Sequence, residues 1–411
     1  MILQSTILAN GLATAIAILT APLAVDLAVC MAGNLRRRQK TSAAKAQEVR
    51  LAVVVPAHNE ETVIARVLAS LRAAVCVQQV AIPAPDSRSQ PWQVPVFVVA
   101  HNCTDRTVAA AARAGAQVVE LKQPGLRGKG AALRAGFDAA QAAGANAFLV
   151  VDADSQVSQN LIAATAATLE HGAAATQCRY ELELPDSRPA SARERLRVLA
   201  FRAMNVLRAR GRAHLGFSAG VFGNGFAVAA ETLESAPYTV DSICEDLEYH
   251  TRLVAAGLRV AWVDEAKVLG PLAPARPAQA AQEARWEGGR FHVAARATGR
   301  LLKAILRGKW RAFEMLAEVW SLPVSRAVLA LLLAACLPVH WLHIFALATA
   351  GLILIYVLEA VLLGNEPWRD FAALAGAPLH FLWKMAITPL VLRQSRADAK
   401  WARTEREVQA P

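Results

Sequence analysis

The sequence predicts an α/β domain built on a mainly parallel β-sheet and flanked by transmembrane helices. Short, continuous apolar runs alternate with helical patterns through the middle of the chain, which is typical of parallel strands covered on both faces. Apolar stretches long enough to cross a bilayer lie on both sides of that region. Of the 411 residues, 55% are hydrophobic, which is a high share for a purely soluble protein.

The net charge of +11 is compatible with nucleic acid, anionic lipid or an anionic substrate as partner, and the position of the cations decides among them. Basic residues follow the first apolar segment and recur near the C-terminus, as in the cytoplasmic flanks of membrane proteins. No basic stripe interleaved with aromatic residues is present, so we expect membrane lipids and no nucleic acid as partners. The basic residues of the two flanks are Arg36, Arg37, Arg38 and Lys40, and Arg393, Arg396, Lys400, Arg403 and Arg406.

Residues 1–35 are predicted to form a transmembrane helix. A signal peptide is the alternative, but the stretch is long, lacks a basic start and is followed by the basic cluster. Positive charge after the segment predicts that its N-terminus lies outside and the next domain in the cytosol. Asp26 interrupts the apolar run, so we expect it to face protein or to lie near the headgroups.

The catalytic domain is expected to span 49–290. Its strands are predicted at Val53–Val55, Val96–Val99, Val118–Val119 and Phe148–Val151. A helical pattern follows each of the first three, and the last runs into Asp152. In such sheets the chemistry collects at the C-terminal ends of the strands. The proline-rich stretch Gln78–Gln93 is predicted to be a surface loop insertion.

The C-terminal third is expected to be membrane-associated. Residues 291–320 alternate cations with apolar residues and suit an interfacial helix on an anionic membrane. Residues 321–364 are apolar for too long to be one span and fit two antiparallel helices that turn near Pro338–Trp341. Residues 365–411 are predicted to hold an interfacial or re-entrant segment and a basic cytosolic tail, because a further crossing would place that tail outside.

Each predicted strand ends in a polar cluster, and four such clusters in succession are hard to attribute to folding alone. Asp152 and Asp154 have i, i+2 spacing after a buried strand, so both carboxylates can lean toward one point and share a divalent cation. Two aspartates capping a turn are the alternative. The four clusters are His58–Glu60, His101–Asp105, Gly128–Gly130 and Asp152–Asp154.

Three further motifs complete the candidate site. Lys129, between two glycines at a helix start, suits a phosphate, although the motif is weak alone and does not match the pattern of an ATPase. Glu245 and Asp246 begin a predicted helix, where acidic residues are also common as caps. Gln282, Arg285 and Trp286 combine a bidentate cation with an aromatic platform, which could equally be a lipid-facing pair.

The order of these motifs resembles that of family 2 membrane glycosyltransferases. This family includes cellulose, chitin, hyaluronan and poly-N-acetylglucosamine synthases and ceramide-glucosyltransferase-like enzymes. The similarity runs from about Arg50 to Arg290, and the combined motif set is highly specific. The matching segments are Pro56–Glu60, Asp152-Ala153-Asp154, Cys244-Glu245-Asp246 and Gln282-x-x-Arg285-Trp286.

The resemblance implies a GT-A type nucleotide-sugar-binding domain and a role for each motif. Asp246 would be the base that deprotonates the acceptor hydroxyl, with Glu245 beside it. Asp152 would contact the nucleotide, and Asp154 would bind Mg²⁺ or Mn²⁺ at the diphosphate. The resemblance assigns the donor nucleotide to Pro56, His58, Glu60, Asn102, Asp105, Lys129, Asp152 and Arg285, and the sugars to Gly223, Asn224, Gly225, Gln282 and Trp286.

The chain departs from the family pattern after the second strand. Where many relatives carry an acidic pair, this chain has Ala100 and His101, so a carboxylate that would accept from uracil is missing. The diphosphate is therefore a firmer expectation than the uridine, with Asn102 as the substitute for that carboxylate.

We expect an inverting, metal-dependent transferase that moves a hexose or N-acetylhexosamine from a UDP donor to a glycan or lipid acceptor. The product would be an extracellular polysaccharide or a glycolipid, made at the inner (plasma) membrane by a multi-pass protein with a cytosolic catalytic domain. About three spans give one copy little wall for a channel, which favours a lipid-linked or short acceptor, or else a homo-oligomer or an export partner. The alternative is a non-catalytic membrane scaffold with a transferase fold.

Overall fold

The structure is a computed structural model that describes residues 2–36, 48–76, 94–125, 128–185, 188–240, 242–272 and 276–395. The chain divides into two units. The sheet unit is formed by the described residues between 48 and 185 and between 218 and 279. The helical unit is formed by residues 2–36, 188–217 and 280–395. Most of the basic residues of the two flanks, and the predicted loop Gln78–Gln93, lie outside the described residues.

The strands all belong to the sheet unit. In chain order they are β1 (Leu51–Ala57), β2 (Val96–His101), β3 (Gln117–Leu121), β4 (Ala147–Val150), β5 (Gln156–Val157), β6 (Ala175–Glu183), β7 (Phe226–Ala229) and β8 (Val260–Pro271).

The helices belong to both units. In chain order they are α1 (Ile2–Asn34), α2 (Ile64–Cys76), α3 (Thr107–Arg113), α4 (Lys129–Ala142), α5 (Leu161–Glu170), α6 (Ala192–Arg202), α7 (Arg208–His214), α8 (Ala230–Ser235), α9 (Glu245–Ala256), α10 (Arg276–Leu306), α11 (Ala312–Trp320), α12 (Val324–Ala335), α13 (His340–Leu362), α14 (Pro367–Ala373), α15 (Ala377–Ala386) and α16 (Thr388–Gln394). A π-helical turn, Ala203–Leu207, joins α6 to α7, and a 3₁₀ turn, Leu374–Gly376, joins α14 to α15.

Within the described part of the chain, one sheet carries eight strands, in the order β3-β2-β1-β4-β7-β6-β8-β5. The four strands predicted from the sequence form its continuous parallel half, in which β1 pairs with β2 and β4, and β2 pairs with β3. In the other half, β6 and β8 are parallel, whereas β7 and β5 pair antiparallel with their neighbours. The predicted α/β class with a mainly parallel sheet is therefore confirmed.

Helices cover both faces of the sheet, as the apolar strands require. Alternate residues of β1 enter different cores: Val53 packs with α2 and α5, whereas Val54 packs with α4. Burying such a side chain contributes about 1.5–3 kcal/mol. Gly136 lets α4 approach the strand closely, because a Cβ there would overlap Val54. The two cores fix the strand register and so hold the strand ends at one edge.

Two helices of the helical unit, Thr6–Asn34 and His340–Leu362, are long and apolar enough to cross a membrane. Up to four spans result if each of two bent helix pairs forms one, by length and composition and within the described part of the chain. α12 has 12 residues, or roughly 18 Å, which is short of a bilayer core of about 30 Å. It would reach across only together with α11, at a bend of 76°.

Asp26 of α1 faces protein, which confirms one of the two alternatives for this residue. Its side chain is fully buried and forms ion pairs with Arg208 and Arg212 of α7. Arg212, also buried, reaches two more carboxylates on α11, with nitrogen–oxygen distances of 2.6 Å to Glu314 and 2.8 Å to Glu318. Charges removed from water in this way require close partners, and the cluster supplies them.

Candidate functional site

The ends of β1 and β2 lie side by side, because the register pairs Ala57 with Ala100. The loops that follow are bonded to each other: His101 O is 2.7 Å from His58 Nδ1, and Thr104 N donates to Asn59 Oδ1 at 2.7 Å. The structure thus brings the first two predicted polar clusters together. Glu60 and Asp105 lie within the same pair of loops, and Pro56 is the second-last residue of β1.

Two residues of these loops use their side chains locally. Asp105 accepts from Thr107 N at 3.0 Å and from Glu61 N at 3.1 Å; burial opposes ionisation, but these bonds and that of the Thr107 hydroxyl lower the pKa of Asp105. Asn102 has a left-handed φ of 52° and bonds the backbone of Gln123 in both directions, at 2.8 and 3.0 Å. Their proposed contacts with a nucleotide stay predictions.

Lys129 is the cation that links the polar clusters. It lies in the first turn of α4, after Gly128 with a φ of 109°, and its ammonium group donates to Asp152 Oδ1 and to Gly223 O. Burial alone would lower the pKa of Lys129, but the charges of Asp152, Glu245 and Asp246 raise it. Lys129 therefore stays charged at the centre of a group of carboxylates.

Asp152 and Asp154 follow β4, at the edge where β1 and β2 also end. Burial and the charge of Asp152 raise the pKa of Asp154 to about 6, against the opposing charges of Lys129 and Arg66. Arg66 Nη2 lies 3.4 Å from the carbonyl oxygen of Asp154. Burial is the larger cause, so ionised Asp154 is costly to keep at this site unless a further cation neutralises it.

These two aspartates fit a divalent cation that is bound together with a phosphate. Mg²⁺ is usually held by one or two carboxylates, while substrate phosphates and waters complete its octahedral shell. Among the described residues, no group of three or more His, Cys, Asp and Glu side chains is arranged to hold a metal ion. Asp152 and Asp154 could therefore supply two carboxylate ligands to a metal whose other ligands are diphosphate oxygens and waters.

Glu245 and Asp246 lie in the first turn of α9. Burial, followed by the charge of Asp246, raises the pKa of Glu245 to about 7. Burial also raises the pKa of Asp246, while the N–H of Leu247, 2.8 Å from Asp246 Oδ1, and Lys129 oppose the change. A carboxylate whose pKa is raised toward neutrality is a better general base than an ordinary aspartate.

The turn Gly223–Gly225 lies against these groups. Gly223 and Gly225 have left-handed φ values of 77° and 69°, which favour glycine. A Cβ at Gly223 would be 3.4 Å from Asp246 Oδ2 and 3.7 Å from Lys129 Nζ. The side chain of Asn224, which is fully buried, accepts from Asp152 N at 3.1 Å. The turn therefore bonds the backbone of Asp152 and leaves little room for a side chain between Gly223 and Asp246.

Several site residues were not found from the sequence. Gln177 and Ser155 are fully buried and bond Asn224, and burial together with the charges of Asp152, Asp154 and Asp246 raises the pKa of Tyr180. Gln177 and Tyr180 lie on β6, which the sequence pattern did not reveal. Ser155 directly follows the paired aspartates and could have been included with them.

Gln282, Arg285 and Trp286 lie on α10 of the helical unit. Gln282 Oε1 accepts from Arg197 Nη2 at 3.1 Å, and the ring of Trp286 is 5.9 Å from that of Phe201. Their assignment to the diphosphate and the acceptor sugar stays a prediction. The carboxylates, the lysine and the glycine turn by themselves offer a base, a cation for phosphate and a donor set for a metal.

Two protein-family models match the chain. The model described as "Glycosyl transferase family 2" matches residues 52–227, and the model described as "Glycosyl transferase family group 2" matches residues 147–365. No curated protein sequence matches the chain.

Solved structures of sugar transferases resemble the chain at low identity. A mannosyltransferase from Pyrobaculum calidifontis in complex with GDP-Man and Mn²⁺ has a TM-score of 0.49 and 18% identity, over 92% of this chain and 99% of that one. Mannosyl-3-phosphoglycerate synthase from Rubrobacter xylanophilus has a TM-score of 0.41 and 17% identity, over 63% and 75%. Glucosyl-3-phosphoglycerate synthase from Mycobacterium tuberculosis in complex with Mn²⁺, UDP and phosphoglyceric acid has a TM-score of 0.35 and 19% identity, over 56% and 74%.

Proposed function

Because the chain belongs to glycosyl transferase family group 2, we propose that it transfers a sugar from a nucleotide-diphosphate donor with inversion at the anomeric carbon. The donor is a UDP-hexose or UDP-N-acetylhexosamine, and the acceptor is a glycan or a lipid. The observation that carries the proposal is the group of four carboxylates around Lys129 at the C-terminal edge of the sheet. The group combines a candidate base with a binding site for a charged diphosphate.

Asp246 is the proposed base. Its carboxylate removes the proton from the acceptor hydroxyl as that oxygen attacks the anomeric carbon from the face opposite the leaving nucleotide diphosphate. The raised pKa of Asp246 increases its affinity for that proton, and burial excludes competing water. Glu245 lies beside it, and burial together with the charge of Asp246 raises the pKa of Glu245 to about 7, so the two carboxylates titrate as a pair.

Lys129 and the paired aspartates serve the leaving group. Lys129 contacts Asp152 and places a cation where a diphosphate would develop charge. Asp152 and Asp154 would hold Mg²⁺ or Mn²⁺, which when bound neutralises the charge of the departing diphosphate. Following the family resemblance, Arg285 braces the diphosphate and Trp286 forms the floor under the acceptor sugar.

We further propose that the protein is a multi-pass protein of the inner membrane, with its catalytic domain in the cytosol. α1 and α13 expose large aliphatic side chains along their length, among them Leu8, Ile18, Leu347 and Leu354. Such surfaces suit lipid. Residues 291–320 lie along the membrane face, because exposed Leu306, Trp310 and Phe313 alternate with cations there.

The proposed acceptor is lipid-linked or short and not a long polymer. One copy of the chain has few candidate spans, too few to enclose a polymer channel by itself. A channel would need several copies or an export partner. The radioactive product should therefore extract with lipids into organic solvent. A high polymer that stays at the origin of a chromatogram would contradict this acceptor class.

The competing function is a membrane scaffold that keeps a transferase fold without catalysis. Loss of the base or of the metal carboxylates would favour it, but Asp152, Asp154 and Asp246 are all present. These carboxylates lie close together and are only partly neutralised, which destabilises the fold. Keeping them therefore favours an enzyme that needs them for catalysis over a scaffold that does not.

The test uses membranes that contain the full chain, Mg²⁺ or Mn²⁺, and a panel of labelled UDP-, GDP- and dTDP-sugars. We expect transfer from one donor, and a loss of about 10²–10⁴-fold in Asp246→Asn with nucleotide binding largely kept. Asp138→Asn, an exposed aspartate on α4, is the matched control and should transfer normally. Undiminished turnover in Asp246→Asn would remove that residue from the mechanism, and no transfer by the unchanged chain from any donor would favour the scaffold.

A further inference from the structure

The side chain of Gln177 is fully buried on β6 and uses its whole amide group. Its nitrogen donates to Asn224 O at 2.8 Å and to Cys178 O at 3.0 Å, and its oxygen accepts from Phe222 N at 3.0 Å. Phe222 and Asn224 lie on either side of Gly223. One amide therefore holds both ends of the turn at Gly223.

The same turn is bonded to the strand end that carries the paired aspartates. Asn224 Oδ1 accepts from Asp152 N at 3.1 Å, and Asn224 Nδ2 donates to Ser155 Oγ at 2.8 Å. Asn224 and Ser155 are both fully buried. β6, the turn and the residues after β4 thus form one connected network of buried polar groups. Such a network stabilises the fold only when every polar group in it has a hydrogen-bond partner.

The position of Gly223 matters for chemistry because it lies between two reacting groups. Its carbonyl accepts from Lys129, and a Cβ on it would be 3.4 Å from Asp246 Oδ2. Gly223 and Gly225 have left-handed φ values, and glycine backbones are conformationally flexible. The turn therefore needs hydrogen bonds from neighbouring segments to stay in one conformation. Gln177 supplies two of those bonds.

We infer that Gln177 is a positioning residue for the transfer reaction, which acts through the Phe222–Asn224 turn to hold the donor sugar in line with Asp246. The inference rests on the proposed function of the same site. It assigns to Gln177 no contact with substrate. Misplacing reacting groups by about 1 Å can cost on the order of 10²-fold in rate. Nucleotide binding is expected to change less, because the predicted contacts of Glu60 and Asp105 do not involve this turn.

The test compares purified full-length variants with the donor that the panel identifies. Gln177→Met keeps the approximate shape and removes all three hydrogen bonds. We expect kcat to fall about 10–100-fold, with KM for the donor and the Kd for the nucleotide within about twofold of the original. Gln177→Glu should recover part of kcat, because a fully buried carboxyl group stays protonated, donates to Asn224 O and accepts from Phe222 N.

Thr176→Val is the matched control. Thr176 is the preceding residue of β6, equally buried, and its side chain points to the opposite face of the sheet. All rates are normalised to folded protein, measured by size-exclusion chromatography and thermal melting. Should Gln177→Met not fold, Ser155→Ala loosens the far end of the network, and we expect a several-fold fall in kcat at unchanged KM.

The outcomes separate the two proposals. Absence of transfer by the unchanged chain rejects the proposed function. Transfer by the unchanged chain with normal kcat in Gln177→Met, or an equal loss in Thr176→Val, rejects the positioning role. A loss confined to kcat, partly restored in Gln177→Glu, supports it.

Discussion

Two clusters of charged side chains in this protein differ in how well their charges are balanced. In the sheet unit, four carboxylates lie together, and the cations that act on them most strongly are Lys129 and Arg66. The carboxylates of this cluster are Asp152, Asp154, Glu245 and Asp246.

The cluster of the helical unit is closer to neutral. Three carboxylates meet Arg208 and Arg212, and Arg290 donates to a backbone carbonyl of the same cluster. The carboxylates here are Asp26, Glu314 and Glu318. Asp26 and Arg212 are 0% and 1% exposed, whereas Asp152 keeps 30% of its side chain accessible.

The difference separates a binding site from an anchor. Accessible carboxylates in excess can be completed by a cation and a diphosphate, so their imbalance serves a ligand. Buried charges that already neutralise each other need no ligand. They join α1, which carries Asp26, to α7 and α11, and removing one member leaves its partners uncompensated.

The largest expected effect is that of Arg212→Met on the anchor. Asp26, Glu314 and Glu318 would each lose a partner, so we expect the free energy of unfolding to fall by about 3–5 kcal/mol. Thermal melting in detergent measures the loss. The double variant Arg212→Met, Glu314→Gln should recover part of it, because one uncompensated charge is removed. Equal melting of the single variant and the unchanged chain would contradict the anchor role.

Asp154→Asn should have the opposite pattern. Removing one carboxylate from a cluster with excess negative charge should leave the melting temperature unchanged or raise it. Transfer should fall by about 10²–10³-fold, and more Mn²⁺ should be needed for half-maximal rate. Melting scans and metal titrations of the rate measure the two effects. A strongly lowered melting temperature would mean that Asp154 serves the fold instead.

The pH dependence of the rate probes the like charges of Glu245 and Asp246. The base acts deprotonated, so kcat/KM should fall as the pH decreases through the pKa of the pair, which lies near neutrality as judged from the value of about 7 for Glu245. Glu245→Gln removes the neighbouring negative charge and eases ionisation of Asp246. The acid limb of the profile should then move to lower pH. A shift to higher pH would exclude this coupling.

The smallest effect calibrates the others. Ser191 caps α6 with a complete capping box, in which Glu194 N donates to Ser191 Oγ at 3.3 Å and Ser191 N donates to Glu194 Oε2 at 2.8 Å. Ser191→Ala should lower the free energy of unfolding by about 1 kcal/mol, with kcat and KM unchanged. A loss as large as that of Arg212→Met would show that the melting assay does not resolve single interactions.

The parallel half of the sheet could be predicted because its strands are continuous apolar runs. The GT-A type fold implied by the resemblance agrees with this sheet and with the family match. β6, β7 and β8 were not predicted: their residues alternate in polarity or are few, and their pairing depends on distant strands. The predicted domain bounds, 49–290, also differ from the units of the structure, since 188–217 lie in the helical unit.

The strand-end clusters could be predicted because parallel strands bring their C-terminal ends to one edge. Gln177 could not, because a single glutamine on an unpredicted strand has no signature. The predicted contact of Asn102 with a nucleobase stays a prediction. The hydrogen bonds of its amide with the backbone of Gln123 could not be predicted, because they depend on a left-handed turn that the sequence pattern does not show.

The π-helical turn Ala203–Leu207 limits which changes in length the chain tolerates. A π turn holds one residue more than an α-helical path of the same rise. Deleting one residue there would let α6 continue into α7 as a regular α-helix with the flanking residues close to their present orientation, because the π turn already absorbs the extra residue. Deleting a residue from the regular part of α6 would instead rotate everything beyond by about 100° around the helix axis. Arg208 and Arg212 would then point away from Asp26. The joint therefore tolerates the loss of one residue, whereas the regular helices beside it do not.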